Sequence, residues 1–393
     1  MEAIKRVRLS EIAELITKGT TPTTLGYNFQ EDGVNFLKIE CFSEDGTYIK
    51  EKTAHISEEC HEKLKRSKLR TGDILFSIAG AIGRVAVVTE EMLPANTNQA
   101  LAIIRVTRDD IYLPYIKLIL TSQIVKAQFE RKKQGVAQLN ISLKDINELE
   151  IPLPEKSKQI ECASLLEKIS GIITARQKQL QNLDELVKAR FVELFGDPIS
   201  NPHGFEKVDL SELADIKIGP FGSLLHKEDY IEGGYALLNP SHIIDGKIAP
   251  DSKLTVSREK YEELSAYHLK AGDVVMGRRG EMGRCAVVPC DGYLCGTGSL
   301  LIRTKGDVTA DYIQKIISFP SFKKAIEDMA VGQTMPNLNV PIVSRFQIIK
   351  PPIEIQHSYY AFVEQTDKSK AAVQKALDEA QLLFDSLMQK YFG

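Results

Sequence analysis

The sequence predicts a mixed α/β protein (α+β) in which a globular domain followed by a long helix occurs twice in tandem, the two helices pairing as an antiparallel coiled coil. Three observations carry this expectation. Short motifs return at an offset near 200 residues, each copy mixes brief β-rich runs with turn signals, and each copy closes in a long heptad segment without interior proline. With 393 residues, 43% hydrophobic and 26% charged, the chain is long enough for two or three domains with their own cores.

The duplication is read directly from matched segments. VRLSEIA at 7–13 returns as VDLSELA at 208–214, with five of seven residues identical, and LRTGDILFSIAGAIGRVAVV at 69–88 returns as LKAGDVVMGRRGEMGRCAVV at 269–288, with nine of twenty identical. Ile151, Pro154 and Gln159 match Ile348, Pro351 and Gln356 at an offset of 197, and Phe195-Gly196 matches Phe392-Gly393. The drift in offset needs only short insertions.

In chain order, residues 1–154 form the first domain. Its β-rich runs Asp73–Ile78 and Val85–Thr89 lie among turn signals, with a helical stretch over Tyr112–Arg131. Residues 155–195 form the first long helix, on which Leu166, Ile169, Ile173, Arg176, Leu180, Leu183, Val187, Arg190 and Leu194 alternate spacings of three and four. Residues 196–207, rich in Gly, Pro and Asn, read as a linker, and 208–351 as the second domain. Residues 352–393 form the second long helix. Adding 197 to the first seam gives Val363, Thr366, Lys370, Val373, Leu377, Ala380, Phe384, Leu387 and Tyr391, so the register survives. Seven of nine positions are apolar in each seam, and each stripe must be buried; the other helix is the obvious partner. Some 40 residues at about 1.5 Å each make a rod of roughly 60 Å.

Composition excludes several classes. No apolar run approaches the roughly 18 to 20 residues of a membrane span, and the first residues lack a secretion signal, which points to the cytoplasm. The cysteines at 41, 60, 162, 285, 290 and 295 have no zinc spacing and read as small buried hydrophobes in a reducing compartment. No histidine recurs at an equivalent position, the glycine blocks near 80 and 280 lack the Lys-Ser/Thr ending of a phosphate loop, and Asn239-Pro240-Ser241-His242 falls short of an adenine methyltransferase motif. No catalytic residue and no metal site is expected. A net charge of −3 argues against a nucleic-acid binder unless the positive charge is local, as in Lys63, Lys65, Arg66, Lys68 and Arg70, or Arg278 and Arg279.

Two copies of a domain plus heptad helix, the repeated Gly-Asp and Gly-x-x-Gly-Arg block, the proline before each helix and the Phe-Gly-Asp-Pro at 195–198 resemble the specificity subunit of type I restriction-modification systems. The resemblance covers essentially the whole chain. It implies two target recognition domains, each reading one half of a bipartite site on double-stranded DNA, with the helix pair fixing the gap. It implies as partners two modification subunits that methylate adenine with S-adenosylmethionine, and restriction or motor subunits using ATP and Mg. This chain itself would bind no cofactor and catalyse nothing.

On that reading, amides suit adenine edges and arginine suits guanine or phosphate. The first-domain candidates are Lys18, Thr20, Thr21, Thr23, Arg84, Asn96, Asn98 and Gln99; those of the second are Lys217, Ser223, Arg278, Arg279, Arg284, Thr297 and Ser299. Arg84 and Arg284 match across copies, which suits a phosphate contact or a turn brace better than base reading. Arg278 and Arg279 replace Ile78 and Ala79, a copy-specific difference of the kind base reading requires. The alternative is a scaffold whose rod positions two protein-binding domains; salt dependence of DNA binding separates the two.

Overall fold

Ile74–Ser77 and Leu101–Arg105 contain no exposed position, the mark of strands covered on both faces. In the computed structural model, which describes residues 5–131, 141–221, 224–330 and 337–392, they sit in the middle of a four-stranded antiparallel sheet. Its order is Leu15–Lys18, Leu101–Arg105, Ile74–Ser77, Val85–Val87. Strand alternation sends Ile74, Phe76, Ala102 and Ile104 into a core shared with helices, and Leu75, Leu101 and Ile103 into a core on the opposite face. Leu37 and Ala95 close that second core from a smaller sheet ordered Ala54–Ile56, Val34–Leu37, Ala95–Thr97.

The second copy repeats this frame. Ala214–Ile218, Ser299–Thr304, Val274–Gly277 and Cys285–Val287 form the same antiparallel order, with Val274, Met276, Leu300 and Ile302 on one face and Val275 and Leu301 on the other. The smaller sheet differs: it has five strands, ordered Tyr230–Ile231, Thr255–Val256, Tyr235–Leu238, Tyr293–Cys295, His268–Leu269. Each domain is tied shut by a two-stranded ribbon, Arg6–Arg8 with Glu150–Pro152 and Glu206–Asp209 with Gln347–Lys350. The strand Glu206–Asp209 begins inside the expected linker of 196–207, because Glu206 and Lys207 pair with Lys350 and Ile349.

The repeated glycine block is a strand-to-strand turn. Gly83 N donates to Ser77 O at 3.0 Å and Ser77 N to Arg84 O at 2.9 Å, while Gly80 and Gly83 take φ of +73° and +84°, a region open to glycine without a Cβ penalty. The helical stretch after Tyr112 is not continuous: it forms Leu113–Thr121 and Gln123–Arg131, broken at Ser122. Ser122 is extended (ψ 161°) and its hydroxyl donates to Ile119 O at 2.6 Å, a local side-chain bond that competes with helix.

The long helices span Lys156–Phe195 and Ile353–Phe392, 40 residues each. Both start identically: Gln159 accepts from Tyr112 N (2.9 Å) and donates to Pro154 O (2.8 Å), and Gln356 accepts from Thr309 N (2.9 Å) and donates to Pro351 O (3.0 Å). All eighteen seam positions are buried or half-buried. The chain nevertheless divides through the middle of both helices, into Met1–Lys178 with Val373–Gly393 and Gln179–Ala372. In the first unit, Cys162, Ala163 and Leu166 share a core with Phe384, Leu387, Tyr391 and Phe392. In the second, Tyr359 Oη lies 3.5 Å from Val187 O and Lys370 pairs with Asp184 at 2.7 Å, so one helix ascends as the other descends. The pairing is antiparallel in register as well as in direction.

The Phe-Gly repeat has its reason here. Phe195 packs on Tyr312 of the second domain (ring centroids 5.1 Å apart), and Phe392 packs on Tyr115 of the first (5.5 Å). Tyr115 and Tyr312 are themselves matched, donating to Pro152 O at 2.8 Å and Ile349 O at 3.0 Å. Each helix therefore starts on its own domain and ends in the core of the other copy's domain.

Candidate nucleic-acid interface

A matched ion pair joins the two central strands of each main sheet, at the end where one strand finishes and the other begins. Arg105 donates through Nε and Nη2 to the two oxygens of Asp73, both at 2.7 Å, and Arg303 does the same to Asp273 at 2.8 and 2.6 Å. Asp73 closes the turn before its strand by accepting from Arg70 N, three residues back, at 2.8 Å, as Asp273 does from Lys270 N at 2.7 Å. These bidentate bonds raise both guanidinium pKa values and fix the strand-entry turn, leaving neither arginine a free charge for a ligand.

In the first domain, Thr20, Thr21, Thr23 and Gln99 come together on two adjoining loops, next to the strand that Lys18 ends. Lys18, Thr20, Thr23 and Gln99 are exposed, Thr21 Oγ1 donates to Gln99 Oε1, and Gly19 N bonds Asn98 O at 3.1 Å. A Cβ at Gly19 would stand 1.8 Å from Thr97 O, so only glycine permits this approach. Asn98 turns its amide oxygen inward to accept from Ala100 N at 3.1 Å.

Two of the expected DNA contacts in this domain are internal instead. Asn96 is fully buried: its Nδ2 donates to Leu64 O and Ser67 Oγ, each at 3.0 Å, and its Oδ1 meets His61 Nδ1. A buried amide must spend its bonds inside the fold, so it has none left for a base edge. Arg84 Nη1 donates to Phe42 O at 2.9 Å, bracing the loop after Val34–Leu37 against the glycine turn. Arg284 repeats the brace to Pro240 O at 3.3 Å and adds Glu281 at 2.7 Å. Hydrogen bonds from Arg284 and then Lys323 hold the Glu281 carboxyl down to about 2.

The second domain exposes Lys217, Arg279 and Thr297. Lys217 Nζ donates to Ala266 O at 3.1 Å and lies 5.8 Å from the Tyr267 ring centroid. Arg278 is half-buried with Nε on Leu338 O at 3.0 Å; burial, then the neighbouring Arg279 charge, lowers its pKa. Ser299 is fully buried within its strand and faces no ligand, which removes it from the surface set. Ser223 lies outside the described residues.

One trio among the described residues, Glu58, His61 and Glu62, brings potential metal ligands within 4.8 Å of one another. His61 Nδ1 is already committed to Asn96 there. The cysteines are all free, buried except Cys290. No helix among the described residues is long and apolar enough to cross a membrane.

The decisive comparison is with protein families. The family model described as the type I restriction modification DNA specificity domain matches residues 1–185 and 202–381, once for each copy. The chain belongs to this family. A specificity subunit of the type I restriction enzyme EcoBI from Escherichia coli is 30% identical over 154 residues, covering 39% of this chain and 32% of that protein. The matched part thus spans about a third of that relative's length. Among solved structures, a chain from a type I R-M system superposes with a TM-score of 0.67 at 17% identity, covering 98% of this chain and 97% of that one. The type I restriction-modification S subunit from M. genitalium gives 0.54 at 14% identity, covering 99% and 96%. These likenesses establish the fold of two specificity domains with two long helices.

Arg66 and Arg70 were not among the expected contacts, although they border the same first-domain loops by way of Thr17. Their signal in the sequence is the basic run from Lys63 to Arg70.

Proposed function

We propose that this chain is the sequence-reading subunit of a type I restriction-modification complex. Each domain reads one half of a bipartite site on double-stranded DNA, and the helix pair sets the spacing between halves. The observation that carries this reading is a common frame with different display. The main-sheet order, the Asp–Arg ion pair and the glycine turn recur in both domains, whereas the exposed loop residues do not: Thr20, Thr23 and Gln99 in one, Arg279 and Thr297 in the other. Two readers of different half-sites need such divergence on an unchanged support.

The chain acts without catalytic residues of its own. It directs two modification subunits that carry S-adenosylmethionine and methylate adenine, and restriction or motor subunits that use ATP and Mg, in the cytoplasm. A rod of about 60 Å can span half-sites one helical turn, roughly 34 Å, apart.

The test is to co-express the chain with its modification subunit in cells lacking adenine methylation and to map N6-methyladenine. A two-part motif with a fixed gap supports the reading, and exchanging residues 208–351 for those of another specificity subunit should alter one half only. An assembled complex that leaves no methylated motif would overturn it.

A further inference from the structure

The two domains carry one positive charge at the same place but supply it from opposite sides of the gap. Thr17 pairs with Ile103 in the first main sheet, and Lys217 with Leu301 in the second, so these two residues occupy one register position. Across from them, the turns Lys65–Ser67 and Ser265–Tyr267 follow matched helices, Glu58–Lys63 and Arg258–Glu263, whose N-caps Ser57 and Ser257 accept from Cys60 N and Lys260 N, both at 3.2 Å. Arg66 and Ala266 are therefore equivalent. In the first domain Arg66 Nη2 reaches from turn to strand, 3.5 Å from Thr17 Oγ1. In the second, Lys217 Nζ reaches from strand to turn, 3.1 Å from Ala266 O. The cation has changed elements while keeping its location.

Both charges are positioned without being neutralised. Arg66 touches a hydroxyl and Lys217 a carbonyl, and among the described residues neither has a carboxylate within ion-pair distance. The nearby cations that brace the fold are different: Lys68 is paired to Glu62, Arg105 to Asp73, Arg284 to Glu281 and Arg303 to Asp273. In the first domain the cleft at this point, about 530 Å³, is lined also by Lys65 and Arg70, both exposed. Arg70 has a basic counterpart in Lys270, likewise exposed.

We infer that Arg66 and Lys217 are equivalent anchors for the DNA sugar-phosphate backbone, one in each domain, flanked by Arg70 and Lys270. This rests on the DNA-reading function proposed above. A backbone phosphate asks for charge at a point in space and is indifferent to which chain segment delivers it, whereas a base edge demands a particular donor or acceptor pattern. Exchange of the cation between strand and turn is tolerable only for the first kind of contact. The neighbouring loops around Thr20 and Gln99, or Arg279 and Thr297, are then left to discriminate bases.

The experiment uses the full chain assembled with its modification subunits and measures the affinity for target DNA over a range of salt concentrations. Arg66→Gln keeps a side chain able to reach the Thr17 hydroxyl but removes the charge. The expected result is a salt slope shallower by about 0.9 and a dissociation constant raised about fivefold near 0.15 M salt, with the methylated motif unchanged. Moving the charge to the strand, as Arg66→Ala with Thr17→Lys, should restore both slope and affinity by imitating the second domain. Unaltered affinity and slope in Arg66→Gln would overturn the inference, as would failure of the double variant to recover while still folded and assembled. Loss of assembly with the modification subunits, with DNA binding otherwise intact, would assign the cation to a protein contact and overturn it too. If the unsubstituted complex itself shows no salt-dependent DNA binding, the functional reading falls and not merely this anchor.

Discussion

Replacing Phe392 by alanine should destabilise the domain that lies earliest in the chain and leave the other untouched. Phe392 is 2% exposed, its ring is 5.5 Å from that of Tyr115, and it shares a core with Ile74, Phe76, Ala102 and Ile104. Truncating a buried phenylalanine to alanine costs about 3–5 kcal/mol, the transfer term plus the cavity left behind. The lower end applies here, since the last turn of a helix can relax into the space. A loss of about 3 kcal/mol corresponds to roughly a hundredfold faster exchange for amides that open only with the whole unit. Hydrogen exchange resolved to segments would read this in Ile74–Ser77 and Leu101–Arg105, while Val274–Gly277 and Ser299–Thr304 stay protected. Phe195→Ala should produce the mirror image, because its ring packs on Tyr312. Equal acceleration in both units, or less than about a threefold change in the first, would refute the crossed-helix account of the two cores.

Asp73→Ala should cost about 3 kcal/mol in urea unfolding, since it strands a guanidinium only 10% exposed; Asp273→Ala should cost less because Arg303 is 38% exposed and finds water. The depressed carboxyl of Glu281 contributes stability above the ordinary carboxylate range and loses it as pH falls through about 4 toward 2; urea midpoints across that window should fall less in Glu281→Gln than in the unsubstituted protein. Thiol labelling at mild alkaline pH should show one fast site, abolished by Cys290→Ser, because burial pushes the Cys285 and Cys295 thiols up to about 12 while Cys290 is exposed. Inserting one heptad at equivalent places in both long helices adds about 10 Å, so the gap in the methylated motif should widen by roughly three base pairs; an unchanged gap would remove the ruler.

What the sequence revealed was whatever repeats in register. The heptad seam from Leu166 to Leu194 and its image at 363–391 are visible because helical burial has a period, and Gln159 and Gln356 because each helix needs the same start. The Asp73–Arg105 and Asp273–Arg303 pairs escaped, since the arginines sit 198 residues apart in sequence and the aspartates 200, so no single offset aligns both. The candidate site was less legible. An asparagine reads the same on paper whether its amide points to solvent or, like Asn96, fills three internal bonds; only the packing of His61, Leu64 and Ser67 against Ala95–Thr97 decides that. The shared cation of Arg66 and Lys217 was hidden for a related reason, because it is conserved in place and not in position along the chain.

The crossed helix ends also fix an order of events during synthesis. The unit Gln179–Ala372 is continuous, so it can complete its core as soon as its last residues leave the ribosome. The other unit brackets it, and its Tyr115 must wait for Phe392. N-terminal domains ordinarily fold first, but here the earlier-made domain completes its core last, across a contact between residues 115 and 392. A chain ending at residue 372 would hold every segment of the second unit while the first still lacked Phe392.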